Sequence, residues 1–136
     1  MYIDMTRNAS SWKKLRWLLV PIVGWVAFLL WQHWPKPANI PAELIGVWKT
    51  SDPKYAGRSF EIDLVSVNFG TGDGRSSTGF VEKIDGVSDG GGTVYTISYD
   101  TDGVENQCSF YYSEQKGKTI VFSNQPGIAW SKVKDF

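Results

Sequence analysis

The sequence predicts an all-β domain of seven or eight strands behind one N-terminal transmembrane α-helix. The domain is a small antiparallel meander, closed as a barrel or flattened as a sandwich. Three observations predict this. Nineteen residues from Trp17 to Pro35 carry no formal charge when His33 is neutral. A proline-rich stretch follows them. From Ala42 onward the 3.6-residue period gives way to the two-residue alternation of half-buried strands.

As a helix, the uncharged run reaches roughly 28 Å, about one hydrocarbon thickness. A lone segment in lipid must pair its own amides, which only a helix does. Trp12 and Trp17 precede the apolar centre, and Trp31 and Trp34 close it. Tryptophan suits both headgroup regions, so these four read as membrane-interface anchors. Lys13, Lys14 and Arg16 lie before the run and only Lys36 follows closely. That asymmetry orients the N-terminus toward the cytoplasm. The expected plan is a cytoplasmic segment 1–14, a transmembrane helix 15–34, a linker 35–41 and an extracytoplasmic β domain 42–136. The expected location is an inner or plasma membrane, with the β domain periplasmic or otherwise outside.

A cleaved signal peptide is the competing reading. Cleavage after Ala38 puts Lys36 three positions back, and cleavage after Ala42 puts Ile40 there, where a small residue is wanted. Within the helix, Pro21 removes one backbone bond. Gly24 and Ala27 lie on roughly the same side and form a shallow notch for a partner helix, or an ordinary lipid-facing surface. His33, the single histidine, reads as an interfacial polar residue or as an axial ligand to a haem or pigment. No second histidine or Cys-x-x-Cys-His motif accompanies it, and no cofactor is predicted.

Pro35, Pro37 and Pro41 fall within seven residues and predict an extended, semi-rigid spacer. Leu44 to Lys49 reads as the first strand. Ser59 to Leu64 alternates with Phe60, Ile62 and Leu64 on one face. Val65, Val67 and Phe69 continue in the opposite phase, so a bulge or turn falls near residues 64–66. Gly79 to Ile84 is a further strand, and Asp85 to Gly92 a flexible connection. Thr93 to Tyr99 alternates most clearly, with Tyr95, Ile97 and Tyr99 together. Asp102-Gly103 marks a hairpin turn. Val104 to Tyr112 returns with Cys108, Phe110 and Tyr112 on one face. Ile120 and Phe122, then Ile128 and Trp130, complete the inward set. Connections this short predict a meander, and closure would remove exposed edges.

Gly46-x-Trp48 on the first strand, followed by a strict meander, resembles the lipocalin and avidin-like small barrels. The resemblance covers residues 44–133. It implies that Trp48 plugs one end of the barrel, with Trp130 close by. The domain is shorter than a typical lipocalin, which leaves open how large a ligand cavity it holds.

Net charge is zero but unevenly spread. Up to Asn39 there are five basic residues and one acid; from Ile40 there are nine basic residues and thirteen acids. The acidic part argues against nucleic acid as a partner. The one cysteine, Cys108, excludes an internal disulfide and is expected to be buried. A catalytic triad, a Cys-His pair or a His-based zinc site would need a histidine in the β domain, which has none. Asp73, Asp85, Asp89, Asp100 and Asp102 match no calcium-loop pattern and are accounted for by turn chemistry. Glu61 and Asp63 read as exposed acids on one strand face. Tyr55, Tyr111 and Tyr112 are expected to be partly exposed.

The sequence thus predicts a non-enzymatic accessory subunit of a larger membrane complex, of an energy-transducing or photosynthetic kind. Its partners would be other membrane subunits and the lipid bilayer. The alternative is a membrane-tethered, lipocalin-like binding module for a small apolar ligand.

Overall fold

Among the described residues, the two-residue alternation is realised as eight strands. The computed structural model describes residues 9–34, 37–115 and 117–136, and their side chains outside 9–18. The strands are β1 Gly46–Lys49, β2 Ser59–Ile62, β3 Ser66–Gly70, β4 Ser76–Asp89, β5 Gly92–Thr101, β6 Val104–Ser113, β7 Thr119–Phe122 and β8 Ala129–Lys134. Each pairs antiparallel with its neighbour in sequence, and β1 pairs with β8 to close the barrel. Of the two architectures expected, the barrel is the one formed.

The N-terminal helix α1 spans Ala9–Gln32 and contains Pro21. From Leu19 to Trp31 its large apolar side chains are exposed on every side. Among the described residues, no helix is long and apolar enough to cross a membrane. The described side chains of α1 begin at Leu19. The first part of the expected span, with Trp12 and Trp17, therefore lies outside them, as do Pro35 and Lys36 of the linker. The second compact unit runs from Pro37 to Phe136. Ile40 is buried in its core and Ala38 packs against it.

Two strand readings need correction. The strand expected over Gly79–Ile84 is β4, fourteen residues long, and it takes in most of the presumed connection 85–92. Its register with β5 shifts between Val81 and Lys83. The extra residue, Glu82, lets Val81 and Ile84 both turn inward although three positions separate them. Such a slip disguises one strand as two segments. The phase flip near residue 65 is a turn. Leu64, expected on the inner face, is 70% exposed there. Asp63 is not a strand-face acid but the organiser of that turn: its Oδ1 accepts from the Val65 and Ser66 amides at 2.8 and 2.7 Å. At the β5–β6 turn, Asp102 and Gly103 both take positive φ, as an Asp-Gly hairpin requires.

The interior is filled from one end. Leu44, Trp48, Phe60, Ile62, Val67, Ile97, Phe110 and Ile120 are fully buried. Burial of one such side chain stabilises by about 1.5–3 kcal/mol. The filled end is the one bearing the β2–β3, β4–β5 and β6–β7 turns. A short 3-10 turn, Ala42–Leu44, crosses it before β1 begins. Trp48 Nε1 donates to the Leu44 carbonyl at 3.0 Å. Tyr95 Oη, from β5 on the opposite wall, donates to Glu43 Oε1 at 2.8 Å. Lys132 on β8 pairs with Trp48 across the closing seam. Its side chain is only 5% exposed. Its Nζ lies 5.2 Å from the Trp48 ring centroid and donates to the Ile45 carbonyl at 2.9 Å. Asp135 Oδ1 accepts at 3.0 Å and neutralises the charge. A buried cation without such partners would cost several kcal/mol. Tyr112, expected to be partly exposed, is buried here at 6% exposure, edge-on to Trp48.

Gly46 is the tightest point of the seam. Its φ is +146°, and a Cβ there would stand 2.3 Å from the Lys134 carbonyl oxygen. Gly46→Ala is therefore expected to lower stability by about 2 kcal/mol or more. Gly127→Ala, where a Cβ meets open space, should leave the urea midpoint nearly unchanged. Comparing the two midpoints by fluorescence checks this.

Burial, then the hydrogen bond to Glu43 and that carboxylate's charge, push the Tyr95 phenol up to about 12 from its ordinary 10. The folded state thus holds this proton more tightly than the unfolded chain. The stability it lends is complete below about pH 10 and is lost as pH rises toward 12. Stability is expected to fall over that window, and less steeply in Tyr95→Phe. Denaturation midpoints at pH 8 to 12 measure it.

Candidate functional site

The opposite end of the barrel carries the β1–β2, β3–β4, β5–β6 and β7–β8 connections and stays open. Loss of filler at this end leaves a cavity of about 500 Å³ reaching down to Phe60. Ligand pockets are typically about 300–1,000 Å³. Alternation builds most of its wall: Phe60 on β2, Phe69 on β3, Tyr99 on β5, Cys108 on β6, Phe122 on β7 and Trp130 on β8 all line it.

Six aromatic rings line this cavity as one unbroken chain of contacts. Tyr99 meets Phe69 at 5.7 Å between centroids, Phe69 stacks on Phe60 at 5.0 Å, and Phe60 meets Phe122 edge-on at 5.0 Å. Phe122 meets Trp130 at 5.8 Å and Trp130 meets Tyr55 at 6.0 Å. These separations suit offset or edge-to-face contact, in which each ring holds the next in place. Tyr99 needs Gly79 beneath it, since a Cβ there would come within 2.2 Å of its ring.

Tyr55 arrives from outside the sheet. Asp52 caps a short 3-10 turn, Pro53–Tyr55, with Oδ1 accepting from the Lys54 amide at 2.9 Å. Proline at the first position suits such a turn. The Arg58 guanidinium lies 5.3 Å from the Tyr55 ring centroid and reaches the cavity rim.

Among the described residues, two polar atoms in this wall lack partners. Trp130 is 4% exposed, yet its Nε1 has no hydrogen-bond acceptor, and buried Gln125 Oε1 has no donor. Both residues line the cavity. A buried donor left unpaired costs about 1–3 kcal/mol. Cys108 is half-buried, and burial pushes its thiol up to about 12. Such a thiol is protonated at neutral pH and is a poor nucleophile.

Of the residues singled out by sequence, Gly46 and Trp48 lie at the filled end, away from the cavity, with Trp130 reaching the open one. Pro21, Gly24 and Ala27 lie in α1, and a Cβ on Gly24 would meet nothing within 4 Å. Trp31 and Trp34 are 74% and 72% exposed. His33 Nδ1 donates to the Leu29 carbonyl at 2.9 Å. Among the described residues, no group of three or more His, Cys, Asp or Glu is placed to hold a metal ion. Tyr55, Arg58 and Gln125 were not legible as site residues; the one signal that could have pointed to an ordered loop there is Asp52-Pro53, a cap followed by proline.

Comparison of the chain with protein families, with curated proteins and with solved structures finds no match. The site therefore stands on its own geometry.

At pH 8, Cys108 in the native chain is expected to react with iodoacetamide on the order of a thousandfold more slowly than a free cysteine, because so little thiolate is present. Mass spectrometry of timed aliquots, with urea-unfolded chain as reference, measures the ratio.

Proposed function

We propose that this protein is a membrane-tethered binding module whose barrel takes up a small, largely apolar, ring-bearing ligand. The observation that carries this is the continuous aromatic lining of the open cavity. A barrel built only as a spacer gains more stability from filling that end, as the other end is filled, than from leaving rings around a void. The small-barrel resemblance carried by Gly46-x-Trp48 points the same way. The tether is α1. Its uncharged run, with large apolar side chains exposed on every side, fits a lipid or helical-partner environment. The basic residues before it place the β domain on the extracytoplasmic side, in this reading.

A second reading keeps the protein as a non-enzymatic subunit of a larger membrane complex. The exposed apolar surface of α1, including the notch at Pro21, Gly24 and Ala27, favours it. Docking of the helix and ligand uptake by the barrel are compatible.

Native mass spectrometry of the full chain, extracted from its membrane in mild detergent, tests both readings. The binding module is expected to carry a small molecule that Cys108→Phe, which fills the cavity, no longer retains. A wild-type chain as empty as that variant, and migrating only within a large assembly, would favour the subunit reading instead.

A further inference from the structure

The chemistry of the cavity wall says more about the ligand than its size does. Among the described residues that line it, Arg58 is the one with a formal charge; the other polar groups are neutral hydroxyls and amides, and no carboxylate is present. The β domain as a whole has thirteen acids to nine bases. A mouth without acids is thus a local departure from the composition around it. Arg58 is also held in place. Its backbone amide donates to the Tyr55 carbonyl at 3.0 Å, and its guanidinium lies against the Tyr55 ring. Tyr55 in turn rests on Trp130. The Arg58 cation and the unpartnered indole N–H of Trp130 thus belong to one stack of ring contacts at one side of the cavity. Both are donors, and a donor pair beside aromatic walls is matched by an anionic oxygen on a flat body.

Resting on the binding-module reading, we infer that the cavity selects a planar aromatic or polyene molecule bearing one carboxylate-type anionic group. The ring system lies among Phe60, Phe69, Tyr99 and Phe122. The anionic end faces the rim, where Arg58 meets its charge and Trp130 Nε1 donates to one oxygen. Gln125 Oε1 is left to accept from any N–H or O–H the ligand carries. A neutral hydrocarbon would fill the same space but leave the Trp130 donor unpaired and gain nothing from Arg58.

Two probes of the same shape separate these cases: 2-naphthoate, charged at pH 7, and 2-naphthamide, which is neutral. Each is titrated by calorimetry into the full-length chain in mild detergent, with Cys108→Phe in the same detergent as blank. Naphthoate is expected to bind about two- to fivefold more tightly, the scale of one partly exposed ion pair. Arg58→Gln should bring the ratio to about one, and Arg58→Lys should keep most of it. Trp130→Phe retains a ring but removes the N–H, and is expected to weaken both probes about tenfold. Equal binding of the two probes to the wild type, or a ratio unmoved in Arg58→Gln, overturns the anion assignment while the cavity reading stands. Trp130→Phe without effect on either probe overturns the role of the indole. Failure of both probes to bind above the blank overturns the cavity reading and this inference together. Arg58 is exposed, so its variants are expected to unfold at the wild-type midpoint, which circular dichroism checks.

Discussion

Closure of the sheet between β1 and β8 is the constraint on which the rest of this structure depends. A meander of short strands has two edges until the first and last pair, and each edge is a row of unpaired backbone groups. Here the pairing strands are only four and six residues long. The seam is therefore reinforced from several directions. Gly46 lets the backbones approach, and Lys132 crosses from β8 to the carbonyl of Ile45. The Trp48 ring lies under that ammonium while its own N–H holds Leu44. One set of side chains thus closes the barrel and caps its end. A lysine suits this place because its stem packs on the indole while its head reaches both a carbonyl and Asp135.

Once one end is sealed, the other end is free to differ. The two ends use the same alternation and similar aromatic residues, but to opposite effect. At the sealed end the polar atoms of Trp48, Tyr95 and Tyr112 are all paired, each within about 3 Å of a carbonyl or carboxylate. At the open end Trp130 and Gln125 carry unpaired atoms, and the rings surround space. The contrast within one small barrel matters more than either observation alone. Buried polar groups are paired almost everywhere in folded proteins; among the described residues the exceptions are Trp130 and Gln125 at the open end and Asn68 on β3.

Much of the barrel could be read from the sequence because period-two alternation survives wherever a strand is regular. Tyr95, Ile97 and Tyr99 on β5, and Cys108, Phe110 and Tyr112 on β6, were assigned to the correct face on that ground. Asp102-Gly103 fixed the turn between them. The full extent of β4 was not legible, because the bulge at Glu82 resets the phase and glycines thin out the pattern beyond it. The cavity was not legible for a different reason. Phe60, Phe69, Phe122 and Trp130 alternate in the same way whether they fill a core or surround a void. What decides between the two is how the β1–β2 and β7–β8 loops, which add Tyr55, Arg58 and Gln125 to the lining, are placed at the mouth. Those loops belong to distant stretches of chain, and no local pattern records their approach.

On the proposed reading, a ligand-binding barrel behind an apolar helix has a physical logic that neither part has alone. Planar apolar molecules concentrate in lipid, and a site held close to the bilayer meets them at far higher effective concentration than one free in solution. Such a site needs little affinity for the hydrocarbon part, because the membrane competes for it on equal terms. It gains selectivity instead from groups that the membrane interior does not offer, such as a cation at the rim and an unpaired indole N–H. Arg58 and Trp130 are groups of that kind. On that reading the aromatic wall orients the ligand, and the rim decides which ligand stays.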